Sequence, residues 1–164
     1  MNAIVYTSNA GSAARYAEML SSETGIHAYS MKEARGKVPA GAEIVYVGWV
    51  MANKVQGYSA AEKRYRARAV CAVGMAKTGT NGDSVRAKTR IPDGTPLFTL
   101  EGNFSAQKLR GVYRLMMNFA LKGLSGKKNR TLEEDEMLAK MRGNADYVKK
   151  ENLKGVLEWF EGCI

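Results

Sequence analysis

The sequence predicts a single three-layer α/β domain, in which a doubly wound parallel sheet lies between two layers of helices. Five short runs are rich in β-branched and aromatic residues, and segments rich in helix-forming residues separate several of them. Two of these runs, at residues 43–47 and 69–73, are almost continuously apolar, which is typical of parallel strands covered on both faces. With 164 residues, 45% of them hydrophobic and 25% charged, the chain suits one globular domain with a buried core.

The chain begins with a strand, a loop and a helix. A strand is predicted at residues 3–6, and residues 7–12 are of the types that form turns and helix caps. A helix follows, for which Gly25 is a typical end. Its apolar residues recur at helical spacing, namely Ala13, Tyr16, Ala17 and Leu20.

The same alternation continues through the next seventy residues. A loop is predicted at residues 36–41, around Pro39, and a helix with a strongly basic outer face at residues 60–68. Because right-handed crossovers join parallel strands, five strands so spaced fit the order 2-1-3-4-5. The predicted strands after the first lie at residues 26–29, 43–47, 69–73 and 96–100.

The last third of the chain is predicted to form helices, as a C-terminal extension that follows the sheet core of residues 1–104. One helix is predicted at residues 105–124, and Thr131 with Glu134 forms a capping-box pattern that begins a second, ending near Arg142. A short amphipathic helix closes the chain at residues 152–160. We expect this extension, residues 105–164, to pack on the sheet within one domain of residues 1–164. The apolar stripe of the first helix consists of Leu109, Val112, Tyr113, Met116, Met117, Ala120 and Leu121.

The loop after the first strand is the best-placed candidate for binding a phosphate. A helix that follows a strand presents unpaired backbone N–H groups and the positive end of its dipole, which favour a phosphate dianion. Thr7, Ser8 and Ser12 add hydroxyl groups, Asn9 adds an amide, and Gly11 lets the backbone approach a ligand closely. Ordinary helix capping uses the same residue types, so the interpretation as a simple N-cap stays open.

The loop after the third strand is expected to face this first loop. Open parallel sheets bind ligands at the carboxyl ends of their strands, where the strand order reverses, which here is between strands one and three. This second loop, at residues 48–58, carries Trp49, whose indole suits stacking on a flat heteroaromatic ring. The alternative is that Trp49 closes the end of the core.

These two loops carry a resemblance to flavodoxins. Residues 4–12, IVYTSNAGS, and residues 15–18, RYAE, resemble the flavodoxin-domain proteins whose opening reads roughly YxSxTGxTxxYAE. Menaquinone-dependent protoporphyrinogen dehydrogenases belong to the same broad group. Ala10 stands where this family commonly has Thr or Gly. The resemblance continues at residues 47–52, 98–104, 108–109, 116–117, 127–134 and 146–153.

The resemblance implies a flavodoxin-like fold and flavin mononucleotide (FMN) as the cofactor of an electron-transfer protein or an oxidoreductase. The phosphate would lie in the loop at residues 7–12, and the isoalloxazine between the loops at residues 48–54 and 74–79. Lys54 or Lys77 would stabilise the reduced flavin if either reaches N1, and no acid–base pair is needed because the flavin carries the redox chemistry. The cofactor-binding residues implied in this way are Thr7, Ser8, Asn9, Ala10, Gly11, Ser12, Gly48, Trp49, Val50, Met51, Ala52, Lys54, Gly74, Met75 and Ala76.

The charge balance leaves other partners open. A formal net charge of +9 attracts anionic partners, although flavodoxins that carry electrons are typically acidic. A solvated face is the first interpretation of the basic residues, and an acidic redox partner or an anionic substrate is the next. Nucleic acid is not favoured, because no recognition motif accompanies the basic residues. Two alternatives therefore stay open: a flavodoxin-like module that has lost FMN and serves in protein interaction or regulation, and a homodimer through the methionine-rich helix.

Several other classes of site and location are not supported by the sequence. His27 is the only histidine, so metal clusters of histidines and Ser-His-Asp catalysis have no basis. The N-terminus lacks a basic segment before its apolar residues, and no apolar stretch reaches the length of a membrane span. Two cysteines are too few for a disulfide framework. We therefore expect a cytoplasmic protein with no membrane span.

Overall fold

A computed structural model describes residues 1–104, 111–142 and 145–163, and its centre is a parallel sheet. A sixth strand of two residues, β4 (Lys54–Val55), pairs antiparallel with the end of β3 (Glu43–Met51). The five parallel strands are β1 (Ala3–Thr7), β2 (Ala28–Ser30), β3 (Glu43–Met51), β5 (Arg66–Gly74) and β6 (Leu97–Glu101). Their order is β2-β1-β3-β5-β6. The predicted order 2-1-3-4-5 holds for these five strands, and it differs in the detail that the sequence did not predict β4.

Helices cover both faces of the sheet, as predicted for a three-layer, flavodoxin-like fold. The helices are α1 (Ser12–Thr24), α2 (Met31–Lys37), α3 (Tyr58–Glu62), α4 (Gly82–Thr89), α5 (Gly111–Gly126), α6 (Leu132–Arg142) and α7 (Lys154–Glu161), with a 3-10 helix (Lys150–Leu153) before α7. Along β3, Val45 and Val47 pack with α1 and α7, whereas Ile44 and Tyr46 pack with α2, α3 and α4. All four side chains are fully buried, which explains the uninterrupted apolar and aromatic run at residues 44–47 of this strand.

Two predictions about the middle of the chain are wrong. Much of the loop predicted at residues 48–58 is a β-hairpin, because β3 continues to Met51 and a tight turn connects it to β4. The helix predicted at residues 60–68 is only the five-residue α3, and Arg66 and Arg68 belong to β5. Pairing of this segment with Glu43 and its neighbours on β3 outweighs the helix propensity of residues 60–68.

Two further helices were not predicted. The loop predicted at residues 36–41 begins only after Lys37, since α2 runs to that residue. A capping box between Ser30 and Glu33 begins α2, with Ser30 Oγ accepting from Glu33 N at 3.3 Å. The second helix is α4.

The C-terminal helices agree with the predicted pattern where the structure describes them. The first of them is α5; residues 105–110, including Leu109 of the predicted stripe, lie outside the described residues. The capping box predicted at the start of α6 is confirmed, because Thr131 Oγ1 accepts from Glu134 N at 3.2 Å and Thr131 N donates to Glu134 Oε2 at 2.9 Å. As predicted, α6 ends at Arg142. The closing helix is confirmed as α7, preceded by the 3-10 helix.

Candidate functional site

A cavity of about 430 Å³ opens at the carboxyl ends of the central strands. Its walls come from the loop after β1, the end of β3, the loop after β5 and the end of β6, and α5 and α6 cover it. This is the position where the strand order reverses, between β1 and β3, and ligands of open parallel sheets bind there. The volume lies within the range of about 300–1,000 Å³ that is usual for small-molecule sites.

Most of the residues predicted to bind a cofactor lie in this cavity wall. Four do not, namely Thr7, Gly11, Gly48 and Lys54. Gly48 instead lies against β4, where a side chain would come within 2.5 Å of Val55. The predicted residues that line the cavity are Ser8, Asn9, Ala10, Ser12, Trp49, Val50, Met51, Ala52, Gly74, Met75 and Ala76.

The loop after β1 places the amino end of α1 at the wall of the cavity. Gly11 is the N-cap residue of this helix, with a positive φ of 101°. Because it is a glycine, it has no side chain that could bond to the first-turn amides. The amides of the first helical turn have no partner within the helix and are therefore suited to an anion. Gly11 N itself is bonded, because it donates to Ser8 Oγ at 3.2 Å.

Ser12 and Thr7 have specific structural partners. Ser12 Oγ accepts a hydrogen bond from Asn103 N at 2.9 Å, which ties the start of α1 to the segment after β6. Tyr46 Oη lies 2.8 Å from Thr7 Oγ1 and donates to Gln56 O at 2.7 Å. Burial raises the pKa of Tyr46 to about 12, so this phenol is neutral at physiological pH. The hydroxyl of Thr7 therefore belongs to a structural cluster beneath the loop rather than to the cavity.

The hairpin of β3 and β4 forms a second wall. Trp49 meets the edge of Tyr113 on α5, with ring centroids 5.3 Å apart and an interplanar angle of 78°. Asn53 and its neighbour Ala52 make the tight turn with positive φ angles of 60° and 49°. Asn81 Nδ2, at the start of α4, donates to Asn53 Oδ1 at 2.8 Å, and both asparagines line the cavity. The predicted cofactor-binding residues include Trp49 but neither Asn53 nor Asn81, and Asn81 lies beyond the predicted loop at residues 74–79.

The two lysines expected near a flavin ring lie outside the cavity wall. Lys54 is exposed on β4, beyond the turn. Lys77 pairs with Glu136 of α6 at 3.0 Å, and this hydrogen bond raises the pKa of Lys77. A different lysine, Lys140 of α6, is nearly buried and forms an ion pair with Glu101. Lys140 Nζ also donates to Met75 O at 2.8 Å, so it attaches the covering helix directly to the cavity wall.

The helices α5 and α6, which together form the cover of the cavity, contribute methionines that the sequence did not indicate as site residues. The residues of α5 and α6 that line the cavity are Met116, Met117, Ala120, Met137 and Met141. In the sequence, Met116, Met117 and Ala120 belong to an apolar stripe with helical spacing, a pattern equally typical of core packing. Nothing local in the sequence indicates that this stripe faces a cavity.

Asn103 holds together the polar edge of the site. Its amide Nδ2 donates to Asp146 Oδ1 at 2.8 Å, and its Oδ1 accepts from Tyr147 N at 2.6 Å. Arg15 of α1 pairs with both oxygens of Asp146 at 2.9 Å. The hydrogen bonds from Arg15 and Asn103 hold the pKa of Asp146 well below its usual range. The amino end of α1, the segment after β6 and residues 146–147 thus form one connected network.

The side chains that line the cavity are uncharged. Among the residues that the structure describes, no charged side chain lines it. Within the same residues there is no group of three or more His, Cys, Asp or Glu side chains that could hold a metal ion. Across residues 1–104, 111–142 and 145–163, no helix is long and apolar enough to span a membrane.

The chain was also compared with known proteins. Neither models of protein families nor curated protein sequences gave a match.

Proposed function

We propose that the cavity binds FMN and that the protein acts in electron transfer or in a flavin-dependent oxidoreduction. The observation that carries the proposal is the position of a largely apolar cavity at the reversal of strand order, next to the amino end of α1. The isoalloxazine ring of FMN needs a largely apolar environment, and its phosphate needs an adjacent site for an anion. The chemistry supplied by the bound flavin is the transfer of one or two electrons between partners.

The phosphate would bind at the amino end of α1. The first-turn amides of α1 and the helix dipole supply positive potential there without a charged side chain. The hydroxyls of Ser8 and Ser12 and the amide of Asn9 lie in the same wall and can donate further hydrogen bonds. The net charge of +9 adds a favourable long-range field for a dianion.

The ring would lie between the hairpin and the loop after β5. Trp49 offers an aromatic surface, and Met51 and Met75 offer polarisable sulfur atoms that contact aromatic rings favourably. Asn53 and Asn81 provide amide groups at the rim for the polar edge of the ring. The helices α5 and α6 would exclude water from the ring, which raises the strength of every polar contact inside the site.

The partners and location follow from charge and cysteine chemistry. A basic surface favours an acidic redox partner or an anionic substrate, and a second copy of the chain is a candidate to cover the outer face of α5. Cys71 and Cys163 are free thiols, as is usual for proteins of the cytoplasm. A cytoplasmic location is therefore part of the proposal.

A titration with two flavins tests the proposal and its phosphate contact together. FMN fluorescence should be quenched on binding at a stoichiometry of one per chain, and riboflavin, which lacks the phosphate, should bind at least about ten-fold more weakly. This factor corresponds to the loss of one charge-assisted hydrogen bond of about 1.5 kcal/mol or more. Equal affinity for the two flavins would contradict the phosphate site at α1.

A pair of variants on one helix tests whether the flavin occupies this cavity. Ala120→Trp places an indole in the cavity from α5, and it should reduce FMN affinity at least ten-fold by steric exclusion. Asn118→Trp is the matched control, because Asn118 is exposed on the same helix and does not line the cavity. If both variants bind FMN like the parent protein, the flavin binds elsewhere.

One observation favours the alternative of a module that has lost FMN. Gly11 N is already bonded to Ser8 Oγ, and no charged side chain of the described residues lines the cavity, so neither this amide nor a cationic side chain would bind the phosphate. A colourless protein that does not quench FMN at millimolar flavin would support this alternative. The fold would then serve as an interaction or regulatory domain.

A further inference from the structure

The helix α5 is apolar on its outer side as well as on the side that faces the cavity. Met117, on the inner side, is buried and lines the cavity. Val112, Leu115 and Phe119 recur at spacings of three and four residues, so they lie together on the opposite side and form an outer stripe. They keep 69%, 59% and 70% of their surface exposed. A helix that is apolar all round is normally covered on every side, and the described part of the chain does not cover this stripe.

The segment around α5 also holds most of the excess positive charge of the protein. Residues 102–132 contain seven Lys or Arg residues and no Asp or Glu. They therefore account for seven of the nine net positive charges and leave the rest of the chain close to neutral. Arg114 and Lys122 of α5 and Lys128 just after it are exposed, and none of the three forms an ion pair with a residue that the structure describes.

The acidic start of α6 does not cancel this charge. Lys127 pairs with Glu134, and Arg130 pairs with Asp135, each at 2.6 Å. The carboxylate at position 136 pairs with a lysine of the loop after β5. These pairs leave Glu133 as the acidic residue at this end of α6 without an ion pair among the described residues. The surface around the outer stripe is therefore basic.

We propose that the outer stripe of α5 and the basic residues around it dock the protein on an anionic membrane surface. The acyl region of a bilayer supplies the apolar contact that the stripe lacks, and anionic headgroups attract the lysines and arginines. Lys122 follows Phe119 by three residues on the same side of α5, so its long side chain can reach the headgroups while the phenyl group enters the lipid. The helix would lie in the plane of the interface, and this arrangement does not depend on what the cavity binds.

The charge of residues 102–132 favours a membrane over the other occupants of this face. A second copy docked through the same stripe would bring two basic segments against each other, and like charges across an interface cost free energy. A nucleic acid would satisfy the charges, but it presents a phosphate backbone rather than an apolar surface to the stripe. An anionic bilayer meets both requirements at once.

Co-sedimentation of the full chain with lipid vesicles tests the docking surface. The vesicles consist of phosphatidylcholine alone or of phosphatidylcholine with an equal part of phosphatidylglycerol. At about 0.1 M salt, the protein should bind the anionic vesicles at least about ten-fold more tightly than the neutral ones. Most of this binding should be lost at about 1 M salt, where the Debye length falls to about 3 Å.

Two pairs of charge variants show whether α5 is the part of the protein that touches the lipid. R114Q/K122Q removes two exposed charges of α5 and should weaken binding to the anionic vesicles about twenty-fold, since each charge near such a surface contributes about 1 kcal/mol. K63Q/K88Q is the matched control, because it removes two exposed charges just after α3 and on α4. The control should bind within about two-fold of the parent protein, because charges held away from the surface contribute little.

The variant L115S/F119S tests the apolar part of the surface. It keeps every charge and should still bind the anionic vesicles at least about ten-fold more weakly than the parent protein, because it has lost the side chains that enter the lipid. Both side chains are exposed, so its circular dichroism spectrum should match that of the parent.

Three results would overturn the inference. Equal losses for the two pairs of charge variants would mean that net charge alone attracts the protein to lipid. Unchanged binding of L115S/F119S would mean that the stripe does not enter the bilayer. Failure of the parent protein to bind anionic vesicles would leave the stripe to a protein partner, and a dimer that L115S/F119S dissociates in sedimentation equilibrium would identify that partner as a second copy.

Discussion

The sheet core and the cover of α5 and α6 are built on different principles. In the core, both faces of the strands are buried, and α1 alone buries five residues against it. In the part of the cover that the structure describes, α5 buries only Met117 and α6 only Leu138. The outer face of α5 leaves Val112, Leu115 and Phe119 between 59% and 70% exposed. The candidate site lies at the junction of a strongly packed region and a weakly packed one.

Polar and aromatic contacts compensate in part for the weak packing of the cover. Lys140 attaches α6 to Glu101 and Met75 O, Lys77 of the core pairs with Glu136, and Trp49 contacts Tyr113. Local regions with few buried contacts open at lower free energy than the whole molecule. We therefore expect the cover to open while the sheet stays folded, which would allow a ligand to enter.

Truncation of a core residue should have the largest effect on global stability. Leu20→Ala removes a fully buried side chain of α1 and should lower the free energy of unfolding by about 2–5 kcal/mol. Phe119→Ala removes a larger but exposed side chain of α5 and should change that free energy by less than about 0.5 kcal/mol. Urea denaturation followed by circular dichroism measures both. Similar losses for the two variants would mean that the cover is part of the core.

Removal of the Lys140 charge should release the cover without unfolding the sheet. Lys140→Met leaves Glu101 nearly buried and unpaired, which costs about 3 kcal/mol for a pair of this kind and favours opening of α6 about a hundred-fold. Cleavage within residues 111–142 by thermolysin should accelerate accordingly. Lys122→Met, at an exposed position of α5, is the control and should be cleaved like the parent protein. Unchanged cleavage of Lys140→Met would show that the ion pair does not hold the cover.

Two glycines with the same backbone conformation allow a comparison of a closely packed position with an open one. Gly57 and Gly79 have nearly equal positive φ angles, 79° and 81°, so alanine is strained at both by about 1 kcal/mol. At Gly57 the new Cβ would also clash with Tyr46 Oη, whereas nothing lies within 4 Å at Gly79. Gly57→Ala should therefore destabilise the protein by about 2 kcal/mol more than Gly79→Ala. Equal melting temperatures for the two variants would contradict this close packing beneath the first loop.

The smallest predicted effect is a dependence on alkaline pH that originates in the core. The pKa of Cys71 rises from 9.0 to about 12 in the folded protein because the thiol is buried. Between these values the unfolded chain loses the proton and the folded chain keeps it, so stability falls as the pH rises. From pH 8 to pH 10 the loss due to Cys71 should be about 1.4 kcal/mol, and Cys71→Ala should lack it. Parallel pH profiles of the two proteins would contradict the burial of this thiol.

The parts of the fold set by local sequence were predictable. The strand, loop and helix of residues 3–24 and the capping box of Thr131 and Glu134 depend on neighbouring residues, and the structure has both. Residues 48–49 and 66–67 were misassigned because their strand conformation depends on pairing with a distant segment. Residues 50–51 pair instead with β4 across a two-residue turn, and the sequence did not predict this hairpin. The hairpin that results carries Lys54 away from the cavity and brings Asn53 to it.

The cavity was predictable in position but not in all its walls. Strand order located the loops after β1 and β3, and Trp49 with Ser8 and Ser12 follows from those loops. The methionines of α5 and α6, and the role of Lys140, depend on where two helices dock, and a repeating apolar stripe does not encode that position. The most weakly packed part of the molecule was therefore also the least predictable part of the site.

A crystal structure of the protein grown with FMN would test the central claim most directly. We predict the phosphate within hydrogen-bond distance of the first-turn amides of α1, and the ring beside Trp49 under α5 and α6. A flavin bound outside this cavity, or density for FMN with its phosphate away from α1, would contradict the account.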